Sequence, residues 1–123
     1  MAKVILDTNF ILTCIRNKVD FFEEILHRGD TILIPTQVIA EITRLGKSSK
    51  KLKFKEEADL ALKLIKVNNY EEVDAPGRYV DKGLVKYCSD HPKIVLGTLD
   101  KVLKKSVKNR KLVIRNKKKL ELQ

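Results

Sequence analysis

Short apolar runs alternate with longer helical stretches along the chain. Lys3-Val4-Ile5-Leu6 has the continuous apolar character of a strand buried on both faces, and it stops at Asp7. A short helix through Phe10, Ile11 and Cys14 follows. The next helix is well punctuated: Asp20 and Glu23 stand at capping-box spacing, Glu24 joins them in the first turn, His27 and Arg28 close the last, and Gly29 ends it. Thr31-Ile32-Leu33-Ile34 reads as a second strand, with Pro35 holding Ile34 extended before a new helix starts. That helix carries Val38, Glu41, Ile42 and Leu45 and is expected to stop at Gly46 as a C-cap.

A longer amphipathic helix is predicted over roughly Lys51 to Val67, with Ala58, Ala61, Leu62 and Ile65 on one face. Tyr70-Glu71-Glu72-Val73 is a weaker strand signal, Pro76-Gly77 a turn, and a helix is expected from about Arg78 to Ser89. Ile94-Val95-Leu96-Gly97 is a strand and Asp100 to about Val107 a helix. Leu112-Val113-Ile114 closes the series as the last strand. Buried strands separated by helices imply a parallel sheet covered on both faces, so the class is α/β.

At 123 residues the chain is one domain by length, and 43% hydrophobic content supports a core without staples. The first six residues meet Asp7 before the apolar region of a signal peptide can form. No run approaches the ~20 apolar residues of a membrane span. Two cysteines, Cys14 and Cys88, then read as reduced thiols in the cytoplasm. The net charge of +10 is concentrated in two places, Arg44 to Lys55 and Lys101 onward, where Glu121 is the last acid. Such surfaces attract polyanions, nucleic acid first among them, although a solvated Lys-rich surface has the same composition.

Four carboxylates resist a purely structural reading. Asp7 and Asp100 each follow an apolar strand at the start of a helix, at the edge where open α/β sheets bind ligands. Either one alone is accounted for as a helix N-cap. Glu41 shares the apolar stripe of Val38, Ile42 and Leu45, and Asp81 that of Leu84, Val85 and Cys88. Both are therefore expected to face inward. Arg78 or Lys82 could neutralise one of them. One shared cation accounts for both more economically, and an all-oxygen set suits Mg²⁺ or Mn²⁺. With the basic surface, this points to phosphodiester hydrolysis.

Two other motifs carry less. Gly46-Lys47-Ser48 looks like the tail of a phosphate loop, but Glu41 stands where its first glycine belongs, and the segment ends a helix. Cys88 and His91 have C-x-x-H spacing, but zinc ligands come in tighter pairs and both cysteines lie on apolar stripes.

Four blocks in order resemble the PIN-domain family. Val4-Ile5-Leu6-Asp7-Thr8-Asn9-Phe10 is similar to its opening strand and Asp-Thr-Asn. Pro35 to Ile42, Val80 to Val85 and Val95 to Asp100 resemble the following three blocks. The resemblance implies a three-layer α/β/α sandwich with about five parallel strands in order 3-2-1-4-5. The PIN-like domain would cover residues 1–115 and a basic tail 116–123. It implies an RNA endonuclease in which Asp7, Glu41, Asp81 and Asp100 are catalytic and hold Mg²⁺ or Mn²⁺. In-line attack of water would leave a 5′-phosphate and a 3′-hydroxyl. Asn9 and Thr98 would orient carboxylates and water, while Arg44, Lys47, Lys101, Lys104, Lys105 and Lys108 would lead RNA to the site.

Thr98-Leu99-Asp100-Lys101 and the basic stretch after it are more similar to the rRNA-processing branch. Toxin ribonucleases of toxin–antitoxin pairs are the neighbouring branch, often with Asn where Leu99 stands. A non-catalytic RNA-binding or assembly module of the same fold is a further reading. A flap-cleaving DNA nuclease would carry more acids and helices. The expected partner is RNA, with no membrane. Family members also pair as homodimers, which would lengthen a basic groove, or meet a protein partner such as an antitoxin or ribosome-assembly factor.

Overall fold

The computed structural model describes residues 1–75, 77 and 79–123. Elements run β1 (Lys3–Leu6), α1 (Thr8–Arg16), α2 (Phe21–His27), β2 (Thr31–Pro35), α3 (Thr36–Ser48), α4 (Leu52–Val67), β3 (Glu71–Val73), α5 (Val80–Asp90), β4 (Val95–Gly97), α6 (Lys101–Ser106), β5 (Lys111–Arg115) and β6 (Lys119–Leu122). They build one sheet in the order β3-β2-β1-β4-β5-β6. The first five strands are parallel, with Val4 opposite Ile32 on one side and Val95 on the other. Alternation along β1 sorts the core. Val4 and Leu6 join α1 to α4 through Phe10, Ile11, Val38, Ile42, Ala58 and Ala61, whereas Ile5 faces Leu84 and Cys88 of α5 and Leu103 of α6. The α/β/α sandwich and the strand order expected from the resemblance are both present.

The sheet differs from the expected five strands by one. β5 turns back through Asn116 and Lys117 into β6, which pairs antiparallel with it, Ile114 opposite Leu120. Lys119-Leu120-Glu121-Leu122 has the period-two alternation of a strand covered on one face, and only Leu120 is buried. The turn that sends it back carries no glycine: Asn116 and Lys117 have φ of 52° and 58°. Asn-Gly would have announced such a hairpin, and Asn-Lys does not.

Gly46 is not the C-cap the pattern suggests. It lies inside α3, buried against α4, where an added Cβ would meet the Asp59 carboxylate at 2.8 Å and Ala58 at 3.7 Å. Its lack of a side chain lets two helices approach. Gly29, in contrast, does end α2 with φ +82°. Gly77 has φ +114° as a turn requires, while Pro76 and the expected helix start at Arg78 lie outside the described residues. No helix among the described residues is long and apolar enough to cross a membrane.

Gly97 ends β4 where β1 and α1 press closest. A Cβ there would stand 2.6 Å from Leu6 Cδ2 and 3.6 Å from the Phe10 ring, both fully buried. Gly97→Ala is therefore expected to lower stability by about 1–3 kcal/mol through overpacking. Urea unfolding of the two proteins measures it.

Candidate active site

All five parallel strands end at one edge of the sheet, and the turns and helices that follow β1 to β4 carry the acids. Asp7 follows β1 and caps α1, its Oδ1 accepting from the Phe10 amide at 2.7 Å. Asp100 follows β4 and caps α6, its Oδ1 accepting from the amides of Val102 and Leu103 at 2.8 and 3.1 Å. The structural role of a cap is thus filled at both positions. What separates Asp7 from an ordinary cap is burial: it is 4% exposed, and its backbone N–H is tied to the Gly97 carbonyl at 3.1 Å.

Thr98 joins the two acids. Its hydroxyl, fully buried, donates to Asp7 Oδ2 and accepts from the Asp100 amide at 3.2 Å. Thr8, next to Asp7, has its hydroxyl buried without a partner among the described residues. Asn9 is exposed on the first turn of α1.

Glu41 is half-buried on α3 and shares a recess of about 310 Å³ with Gln37, Arg44, Tyr79 and Val80. Asp81 departs from expectation, because its side chain is exposed. α5 starts at the carboxyl edge of the sheet, so Leu84 and Cys88 reach the core while position 81, a turn earlier, overhangs the edge. There Asp81 and Asp100 together line a cavity of about 300 Å³ whose other walls are Lys82, Val85, Val102, Leu103 and Ser106. Lys82, one of the two cations expected to neutralise an inward acid, thus lies at this cavity with Asp81 and Asp100.

The charges feel one another across this space. Burial pushes the Asp7 carboxyl up to about 6; Thr98 and the Phe10 amide pull the other way, and Asp81 and Asp100 add repulsion. The Asp81 carboxyl is raised first by desolvation, then by Asp100 and Glu41. Repulsion acts over longer distances than ligation, however. Among the described residues no three His, Cys, Asp or Glu side chains converge closely enough to hold one ion. The donor set itself fits a hard divalent cation, being carboxylates and hydroxyls only. Asp7, Asp81 and Asp100 are the residues that could hold it, with Glu41 at the rim.

The thiols lie elsewhere. Cys14 and Cys88 are buried in the two cores on opposite faces of the sheet, and burial raises both, Cys88 to about 11. His91 is exposed, stacked on Tyr87. Of the expected RNA-contacting cations, Arg44 stands beside Glu41 and Lys101 directly follows Asp100. Lys47, Lys105 and Lys108 are exposed and Lys104 half-buried.

Comparison with known proteins identifies the family. A family model described as a PIN like domain matches residues 4–119. The chain belongs to the PIN-like domain family, a nuclease and RNA-processing group. It is 33% identical to Ribonuclease VapC4 of Methanocaldococcus jannaschii, across 99% of this chain and 97% of that protein. It is 30% identical to the rRNA-processing protein fcf1 of Schizosaccharomyces pombe, over 85% of this chain but 53% of the yeast protein. The PIN domain endonuclease Utp24 superposes with a TM-score of 0.79 at 27% identity, covering 98% and 90% of the two chains. VapBC2 from Rickettsia felis, at 19% identity and a TM-score of 0.50, shares the fold.

Asp7 makes a stability prediction. Its folded carboxyl titrates near 6 against an ordinary 3.8, so the folded state holds a proton that the unfolded chain releases between those values. This contribution favours folding fully below about pH 4 and is lost as pH rises through 6, leaving a cost of about 3 kcal/mol at neutral pH. Asp7→Asn retains the cap and removes the charge. In chelator at pH 7 it should melt several degrees above wild type, the gap closing near pH 4; a lower melting temperature at pH 7 would contradict it.

Proposed function

We propose that this chain is an Mg²⁺- or Mn²⁺-dependent RNA endonuclease that hydrolyses phosphodiester bonds, with Asp7, Glu41, Asp81 and Asp100 as its catalytic acids. The observation behind this is the carboxylate of Asp7, buried at the sheet edge with only neutral donors among the described residues and with two further acids repelling it. A structural acid in the same fold is treated differently. Glu57 is also buried, at 9% exposure, but Arg16 grips both its oxygens at 2.9 and 3.2 Å. Among the described residues Asp7 has no such partner, and a cation supplied from outside would relieve it.

The residues divide the work. The Phe10 amide and Thr98 hydroxyl fix both oxygens of Asp7 and so hold the carboxylate in one orientation. The α6 amides fix Oδ1 of Asp100 and leave Oδ2 for ligation. Thr98 keeps the two acids in register and, with Asn9, would orient water. A divalent ion held here would polarise the phosphodiester and lower the pKa of attacking water. Glu41 and Asp81 would complete the acidic site, and Lys101, Lys104, Lys105, Lys108, Arg44 and Lys47 would neutralise the RNA backbone.

Likeness to the PIN domain endonuclease Utp24 supports endonucleolytic cleavage, and likeness to the rRNA-processing protein fcf1 supports a role in rRNA processing. A second reading, the ribonuclease of a toxin–antitoxin pair, has the full-length similarity to Ribonuclease VapC4 behind it. Expression in a bacterial host separates them: growth arrest by wild type but not Asp7→Asn favours the toxin.

The enzymatic claim is tested by cleavage of labelled RNA with Mn²⁺. Wild type should cut, leaving 5′-phosphate ends. Asp7→Asn and Asp100→Asn, both good caps, should lose at least the ~100-fold that an outer partner of a metal site can cost. Equal cleavage by all three proteins would sink the assignment.

A further inference from the structure

We propose that the β5–β6 hairpin is a built contact for the phosphate backbone of RNA, flanking the carboxylates; this rests on the reading of that site as acting on RNA. β5 runs parallel to β4 and β1, so it points its carboxyl end to the same edge as Asp7 and Asp100. The Thr98 amide still donates to the Leu112 carbonyl, at 3.2 Å, which binds the two strands up to the site itself. Leu112 lies opposite Gly97, and β5 continues for three more residues to Arg115. At ~3.3 Å per residue the hairpin therefore rises about 10 Å past the end of β4, one strand spacing, or ~4.8 Å, to its side.

The hairpin is fixed in place. Leu120 is 6% exposed, its amide donates to Glu24 Oε1 at 3.4 Å, and its carbonyl accepts from Arg28 Nη2 at 3.3 Å, both from the α2 region. The Lys118 amide donates to the Arg115 carbonyl at 3.0 Å and closes the turn. Arg115 is held by Glu121 at 2.8 Å. Lys117, Lys118 and Lys119 are exposed, and none of them forms an ion pair among the described residues. Arg115, Lys118 and Lys119 line a recess of about 330 Å³ together with Asn116, Leu120 and Glu121, whose carboxylate is already engaged by Arg115. Three like charges on a rigid turn repel one another, and a polyanion laid along them relieves that repulsion. Lysines merely dispersed for solubility would need neither the recess nor the anchoring to α2.

The experiment is binding of a short labelled single-stranded RNA, in chelator so that nothing is cut, over a range of salt. The test variant is Lys117→Gln/Lys118→Gln/Lys119→Gln. Its control is Lys18→Gln/Lys63→Gln/Lys66→Gln, which removes equal charge near the opposite edge: α1 leads away from the site to Lys18, and α4 ends just before β3 starts. The hairpin variant should bind at least about tenfold more weakly near 0.1 M salt, with a slope of log K on log salt shallower by about 2, while the control stays close to wild type. If the triple variant folds poorly, Lys118→Gln alone, at the recess, should show the same change in smaller measure. Unchanged binding, or equal loss in hairpin and control, overturns the proposal. RNA cleavage with Mn²⁺ by wild type is scored separately. A chain that cuts while its hairpin variant binds normally refutes this inference alone; one that binds through the hairpin but never cuts refutes the nuclease reading alone.

Discussion

A carboxylate buried without a cation is the constraint around which the site is organised. Asp7 has lost its water, and what it receives in return is one amide and one hydroxyl, both neutral. Neutral donors offset part of the desolvation of a charge but not all of it, so its carboxyl stays raised. Glu57 shows that the same chain can neutralise a buried acid when the fold requires one: α1 supplies Arg16 and the pair links α1 to α4. Among the described residues no such arrangement exists for Asp7. Its neighbours across the sheet edge are further acids, which add repulsion. Such a group persists where function uses the charge.

The sheet makes this arrangement available. Because β1 and β4 are adjacent and parallel, the residues after them emerge side by side, and one threonine can hold both acids. Close packing at Gly97 keeps that junction tight, with Leu6 occupying the space a side chain would take. α3 and α5, leaving β2 and β3 at the same edge, bring Glu41 and Asp81 to the rim. The hairpin of β5 and β6 extends this edge outward as a basic wall. Acids at the centre and lysines at the flank suit a polyanion that must be bound along its length and neutralised at one point.

Much of this was legible in the sequence because parallel strands write their burial plainly. Val4-Ile5-Leu6 and Val95-Leu96-Gly97 leave little choice, and the acids after them stand out by position. The features that escaped depend on tertiary contacts. Gly46 reads as a helix stop, yet its role is set by α4, far along the chain. Asp81 shares a stripe with Leu84 and Cys88, but a stripe does not tell which end overhangs the sheet. β6 was hidden by its lysines and by a turn lacking glycine, so the segment resembled a tail. Thr98 was visible as a candidate neighbour of the acids; that its hydroxyl serves Asp7 and Asp100 at once follows only from the register of β4 on β1.

The central claim is that the acids at the sheet edge form a cation site. Paramagnetic broadening by Mn²⁺ in backbone amide NMR spectra of the wild-type chain tests it most directly. The account predicts that substoichiometric Mn²⁺ first erases the signals of Asp7, Thr98, Asp100 and Asp81, leaving those of Glu57 and the far edge of the sheet sharp. Broadening spread evenly over surface acids such as Glu23, Asp59 and Asp90, with the sheet edge spared, would contradict it.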